Sequence, residues 1–520
     1  MRHVSHFTTL AVLLLTLSLS PAGEEPVRAG EMFSGAKGWL GTAEPLTNDK
    51  LKGQVVLVDF WTYCCINCMH VIPELKFLEE KYKDQPFVVV GVHSGKFDQE
   101  KDIANIRAAV LRNGLKHPVA VDSDFAIWNR FGVRSWPTLV LIGSDGKPVG
   151  SISGEGHRDL LDKVIAKTLA EGKANGTLAA KPLVFTPEVD ATATGPLSFP
   201  GKVMADAARK RLFIADTGNN RVLIASLDGM VTTVIGNGKA GLTDGLLAEA
   251  QFNEPQGMAV SDDGKLLYVC DRLNHALRVV DLAAGTVRTL CGNGEQGSDR
   301  QYRGPAAKAQ LNSPWDCLLV GQQLFLAMAG HHQIWRYDLA TNHVGVFAGS
   351  GRESCVNGPH LMATFAQPSG LASDGQRLYV ADSETSSIRA VDLDPAGETR
   401  TIAGSEDLFG FGLVNGTGRD ARFQHPIGIA LTGPAGQAKL IVTDTYNHVL
   451  RSVDPLTGEV KTLSGTGKAE RGSAEKIGFF EPHGVAALGD ALYVADTNQH
   501  RIVVVEGGKA RELVVVLPKP

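Results

Sequence analysis

The chain is short of three things, and each shortage removes a class of protein. It has seven cysteines in 520 residues, an odd and thinly spread set that excludes a disulfide scaffold. It has no cluster of Lys and Arg, and with a net charge of -5 it offers no electrostatic footprint for nucleic acid. Beyond the first two dozen residues it has no apolar run long enough to cross a bilayer. What it has in quantity is glycine, 58 residues, with 43% hydrophobic and 21% charged residues, the balance of a globular, turn-rich protein. A chain of 520 residues exceeds one ordinary core, so two or three domains are expected.

The first 22 residues read as a secretory signal peptide. Arg2 and His3 precede an apolar stretch, Leu10 to Leu19, and Ser20 and Ala22 are the small residues of a cleavage site after Ala22. The alternative is an uncleaved anchor. With cleavage, the mature protein carries no membrane span and is periplasmic or secreted, in a compartment where disulfides persist.

The densest chemistry is at Asp59-Phe60-Trp61-Thr62-Tyr63-Cys64-Cys65-Ile66-Asn67-Cys68. A Cys-x-x-Cys pair, Cys65 and Cys68, follows the apolar strand Val55 to Phe60 and opens an amphipathic helix, Met69 to Tyr82, that Pro73 is expected to kink. Unpaired backbone N–H groups and the helix dipole both favour thiolate at that place, and thiolate is the form that attacks disulfides. Further on come an apolar strand from Phe87 to Val92, a helical period from Gln99 to Asn113, a strand Val133 to Ile142 entered through Pro137, a turn at Asp145-Gly146, and a closing helix Arg158 to Glu171.

This region, residues 33 to 172, resembles a thioredoxin-fold domain, an α/β fold. The resemblance implies that Cys65 is the attacking cysteine and Cys68 the resolving one. It makes Asp59 the buried acid behind them, its pKa raised by desolvation so that it accepts the Cys68 proton, although a strand-end carboxylate in a satisfied hydrogen bond fits the same position. It makes Pro137 the cis-proline that docks the substrate chain, where a plain strand-entry proline is the other reading, and it places Trp61 and Trp136 at the substrate. No cofactor is implied. The chain departs from the pattern at Cys64, which stands where Trp is usual, and at Ile66-Asn67 between the cysteines. Cys64 is either a buried small residue or a redox accessory thiol.

A connector without clear period, residues 173 to 196, has one candidate strand at Leu183 to Phe185 and leads to a repeat array over 197 to 517. Six copies open on a proline, Pro200, Pro255, Pro314, Pro368, Pro426 and Pro482, fewer than 60 residues apart. Strands of the type Leu-Tyr-Val-Ala-Asp follow, as at Leu378 to Asp382. Four short strands per unit and six units describe an all-β six-bladed propeller, and the copies resemble NHL repeats. The Gly-rich stretches between copies, such as Gly236 to Ala250, are expected to project and to form the partner-binding surface. Four residues after the motif Asp position stand Asn220, His275, His332, Ser386, His448 and His500. They are either turn residues or, through the four histidines, a metal-binding ring. Met328 replaces the motif Asp in the third copy, which marks that blade as locally weak. Cys270, Cys291 and Cys317 occupy small, buried positions, and Cys355 falls in a loop that leaves open a role as exposed partner of the redox pair.

Together the two regions resemble the NHL repeat-containing protein 2 family. The resemblance implies an exported thiol–disulfide oxidoreductase whose partners are protein disulfides or dithiols, with the propeller as a platform that raises their effective concentration near Cys65. A reductase in that compartment requires a membrane electron donor. A binding scaffold with an inert cysteine pair, or a metal-dependent propeller lyase, are the alternatives.

Overall fold

The computed structural model describes residues 32–190, 195–434, 436–473 and 476–518; the signal-peptide reading of residues 1–22 lies outside them. The chain forms two compact units.

The first unit comprises Met1–Thr62, His70–Ser94 and Leu115–Pro187. Its sheet has six strands: β1 (Gly38–Leu40), β2 (Val55–Trp61), β3 (Phe87–His93), β4 (Val119–Val121), β5 (Thr138–Ile142) and β6 (Pro148–Ser153), in the order β1-β4-β3-β2-β5-β6. β2, β3 and β4 run parallel, and β5, β6 and β1 pair antiparallel at the flanks. The side-chain alternation of β2 splits the core in two. After the short helix α1 (Asn48–Leu51), Val55 and Leu57 face Val71, Leu75 and Leu78 of the helix α2 (Ile66–Tyr82) and Leu161, Ile165 and Leu169 of the helix Arg158–Ala174. Val56, Val58 and Phe60 face Met32, Phe33, Ile127 and Trp128. Every residue of β2 and β3 is buried, as a sheet covered on both faces requires.

Three local expectations change. α2 begins at Ile66 rather than Met69, so Cys68 lies inside its first turn, and it continues past Pro73 to Tyr82. The strand expected from Val133 begins only at Thr138, after a bend over Ser135 to Pro137; the Trp136–Pro137 bond is cis. Leu183 to Phe185 forms no strand; Leu183 and Phe185 instead cover the apolar cluster of Phe33 and Trp128 as single side chains.

The second unit comprises Tyr63–Met69, Gly95–Gly114 and Glu188–Pro520. Its bulk is a six-bladed propeller of six antiparallel sheets. The ring closes through the opening residues. Phe199 N–H donates to His500 Nδ1 at 3.0 Å, and the hydroxyl of Thr497 donates to the carbonyl of Pro200 at 2.8 Å, joining the last blade to the first. The same latch recurs between successive blades. Asn220 Oδ1, His275 Nδ1, His332 Nδ1, Ser386 Oγ and His448 Nδ1 accept from the N–H of Glu254, Ser313, Gln367, His425 and Glu481 respectively, at 3.0 to 3.2 Å. All six latch residues have φ between 46° and 55°, the left-handed turn conformation. The recurrent position is therefore a turn that also joins blades, and the Nδ1 lone pair of each of its histidines is used in doing so. Among the described residues no group of His, Cys, Asp and Glu is arranged to hold a metal.

Inside five of the six blades the motif Asp accepts a backbone N–H from the blade opening and pairs with an Arg, as Asp382 does with Ala366 N–H at 2.9 Å and Arg389 at 3.2 Å. In the third blade both partners change. Met328 replaces Asp, and fully buried Trp335 packs with it in one apolar cluster. Packed apolar groups thus take the place of the buried ion pair, an exchange that is often neutral or stabilising. Within the Gly-rich stretches, Gly245–Leu246, Arg303–Pro305, Gly358–Pro359 and Gly416–Thr417 pair as short fifth strands on the outer edges of four blades, while neighbouring residues such as Asn237 to Ala240 stay exposed.

Candidate redox site and its supports

The cysteine segment belongs to the second unit. Cys65 stands immediately before the first helical residue of α2, and its Sγ accepts from Cys68 N–H at 3.4 Å, the hydrogen bond an N-cap side chain makes to the third residue of a helix. Sulfur in that place meets the positive end of the helix dipole. Of the three clustered cysteines only Cys65 is partly exposed; Cys64 and Cys68 are buried. The seven cysteines are all free thiols.

The backbone around Cys65 is held from both sides. Gln367, the residue before Pro368 at the opening of the fourth blade, donates from Nε2 to the Cys64 carbonyl and accepts at Oε1 from Ile66 N–H, both at 2.9 Å. One side-chain amide thus pairs with the peptide groups flanking the exposed sulfur. Glu100, fully buried, accepts from Cys64 N–H at 2.8 Å, and its other oxygen accepts from the N–H groups of Lys96 and Phe97. Tyr63 packs edge-on against Tyr446, ring centroids 5.2 Å apart. Neither Gln367 nor Glu100 was singled out from the sequence. Gln367 occupies the variable position of the opening motif, where other copies carry Glu254, Ser313, His425 or Glu481, and nothing in the repeat marks one copy as the one that reaches the cysteines. Replacing Gln367 by Leu is expected to destabilise the protein by about 2 kcal/mol in denaturant unfolding, because two buried backbone groups lose their partners, and to slow alkylation of Cys65 at neutral pH. An unchanged unfolding midpoint would show the clamp to be dispensable.

Cys64 is a different kind of thiol. Burial, and then the negative charges of Glu100 and Glu384, push it well above the usual thiol range, so it stays protonated. Glu384 itself pairs with buried Lys96. Cys355 is also buried, its Sγ 3.8 Å from Thr401 Oγ1 and 3.9 Å from Ser387 Oγ, which removes it as an exposed partner of the redox pair. Cys270, Cys291 and Cys317 are buried as expected.

The remaining expected site residues lie in the first unit. Asp59 is buried at the centre of β2, and desolvation raises its carboxyl to about 7, with His117 opposing the rise and Glu79 adding to it. Its Oδ1 has no hydrogen-bond partner among the described residues. Pro137 is buried behind its cis bond. Trp136 is half-buried and packs on Trp128, centroids 4.6 Å apart. Trp61 is 2% exposed and meets His93 edge-on, ring centroids 4.8 Å apart.

Comparison with known proteins agrees with this anatomy. Residues 53–148 match the thioredoxin-like family model, and residues 479–505 match the NHL repeat model. The bovine NHL repeat-containing protein 2 is 40% identical over 504 residues, which cover 90% of this chain and 69% of that protein. The chain belongs to the NHL repeat-containing protein 2 family. Another relative of this family member is the protein SUPPRESSOR OF QUENCHING 1, chloroplastic, of Arabidopsis thaliana, 45% identical over 491 residues that cover 91% of the chain; the chain spans 46% of that plant protein's length. Within the thioredoxin-like region, the thiol-disulfide oxidoreductase ResA of Bacillus anthracis is 35% identical over 117 residues, 22% of this chain and 65% of ResA. The thioredoxin-like region of this family member is thus related to thiol–disulfide oxidoreductases. Among the described residues no helix is long and apolar enough to cross a membrane.

Proposed function

We propose that the protein is an exported thiol–disulfide oxidoreductase acting on protein disulfides or dithiols. The observation that carries this reading is the unequal pair at the start of α2: a partly exposed Cys65 whose sulfur caps the helix, and a buried Cys68 one turn further on. Cys65 attacks a target disulfide, forming a mixed disulfide and releasing one target sulfur as thiolate. Cys68 then loses its proton to a base, for which Asp59 is our candidate, and attacks Cys65 Sγ. The second target sulfur leaves, and the Cys65–Cys68 disulfide remains. Pro137 and Trp136 serve to receive the substrate chain. The propeller serves as the platform that holds the partner and raises its effective concentration. Export rests on the signal-like pattern of the first 22 residues, and the electrons for a reductase come from a membrane donor.

The test is a redox titration of the mature protein across thiol/disulfide buffers, with free thiols alkylated and mapped by mass spectrometry. Cys65 and Cys68 are expected to interconvert together while the other five cysteines remain thiols at every potential. If the pair never cycles, or if Cys64 permanently takes one member, the reading fails. The midpoint separates a reductant from an oxidant of partners.

A further inference from the structure

Asp59 lies deep in the first unit, and a base that receives a proton there must pass it on before the next cycle. In the register of β2 and β3 its neighbour is Gly91. Paired residues of neighbouring strands share a face, so Asp59 and the missing side chain of Gly91 point the same way, towards the α2 side of the sheet. A Cβ on Gly91 would stand 3.1 Å from Trp61 Nε1 and 3.5 Å from His117 Nε2. Both nitrogens, like Asp59 Oδ1, are buried with no hydrogen-bond partner among the described residues. Two of the three atoms nearest that Cβ are thus orphaned nitrogens, the third being Val119 Cγ2, and Asp59 with its orphaned oxygen is the strand neighbour of the same glycine, whereas buried polar groups are nearly always paired. The other ring nitrogen of His117 is not orphaned. Nδ1 lies 3.1 Å from Glu79 Oε1, and the Glu79 side chain is 24% exposed where the His117 ring is 2% exposed. His117 and Glu79 are also the two charged side chains that act on the Asp59 carboxyl.

The geometry points to a proton relay from Asp59, through one water held beside Gly91 by Trp61 and His117, across the His117 ring, to Glu79 and solvent. This inference rests on the thiol–disulfide reading of the site. When Cys68 is deprotonated for its attack, Asp59 holds the proton and gives it, through the water, to His117 Nε2. The Nδ1 proton moves to the Glu79 carboxylate, which releases it to bulk solvent. When the Cys65–Cys68 disulfide is later reduced, a proton enters by the reverse route: Glu79 protonates Nδ1, and the Nε2 proton returns towards Asp59 and Cys68. The two halves of the cycle restore the original tautomer, so the ring need not flip. Glycine at 91 is part of the device, because a side chain there would fill the place of the water. A buried water needs a few polar partners, and Trp61 Nε1 and His117 Nε2 supply two of them at this position.

The experiment follows the reduced full-length protein reacting with an excess of an aromatic disulfide that liberates a coloured thiolate. Attack by Cys65 releases the first equivalent, and attack by Cys68 on the mixed disulfide releases the second, so stopped-flow absorbance separates the two steps. In His117→Gln the first phase is expected to keep its rate and the second to slow by about tenfold or more, within what a positioned proton-transfer group contributes. Glu79→Gln should slow the second phase in the same direction. Added imidazole should restore it in His117→Ala, a rescue that a merely structural role would not show. Two phases at wild-type rates in both His117→Gln and Glu79→Gln would overturn the relay and leave the oxidoreductase reading standing. Should His117→Gln fail to fold, Glu79→Gln at the half-exposed end decides alone. A wild-type protein that releases only one equivalent would overturn the oxidoreductase reading, and the relay with it.

Discussion

Replacing Cys68 by Ser is expected to turn the protein into a covalent trap, with turnover falling by about a thousandfold or more as mixed disulfides accumulate on Cys65. The size follows from what the variant removes. In the wild type the second attack is intramolecular, from a sulfur one helical turn away, and such attacks have effective concentrations far above any external thiol. In the variant only external thiol at millimolar concentration resolves the adduct. The hydrogen bond from residue 68 N–H to Cys65 Sγ is a backbone donor and survives the substitution, so the first attack persists. Cys64 does not substitute for Cys68, because its thiol is buried and held protonated beside Glu100 and Glu384. Adducts are read on non-reducing gels and mapped by mass spectrometry, with Cys65→Ser as the blank. Adducts that form equally in wild type, or that map to Cys64, would remove Cys68 from the resolving role.

Asp59→Asn is expected to stabilise the protein at alkaline pH while slowing the resolving step. The Asp59 carboxyl titrates at about 7 in the folded protein against an ordinary value of 3.8, because burial disfavours its charge. Between those two pH values the folded chain retains a proton that the unfolded chain has released. Stability therefore falls as pH rises from about 4 to about 7, and the penalty is complete above that range. The interval corresponds to about 4 kcal/mol. Asn cannot ionise and escapes it. Denaturant unfolding should show the variant more stable by up to about 4 kcal/mol at pH 8 and close to wild type at pH 4. A gain that is the same at both pH values would mean that Asp59 is not ionising in the fold. The paired outcome, more stable and slower, is what a carboxylate kept in the core for chemistry should give.

These two expectations draw on different amounts of tertiary information. The position of the Cys65 and Cys68 pair was legible in the chain, since a Cys-x-x-Cys pair between an apolar strand and an amphipathic helix sits at the helix start, although the expected start at Met69 left Cys68 outside the helix. The six blades were legible for a similar reason. Each copy encodes its own strands and turn, and the latch residues from Asn220 to His500 recur because every blade must join its neighbour. Local periodicity carries such features, and it needs no knowledge of the chain's path.

What the sequence by itself determined is therefore the α/β unit, the propeller and the cysteine pair that opens a helix. Only the tertiary structure decided what surrounds that pair and its candidate base. Gln367, 301 residues from Ile66, bonds the peptides flanking Cys65. His117 pairs with Glu79 and stands against the Cβ position of Gly91, the strand neighbour of Asp59. Cys355 is buried although its neighbours read as a loop, and parts of the Gly-rich stretches pair as edge strands. These facts depend on register and on which distant backbone comes to lie alongside. A single side chain in a variable repeat position carries no periodic signal of it, because the information resides in the packing of segments that the sequence keeps hundreds of residues apart.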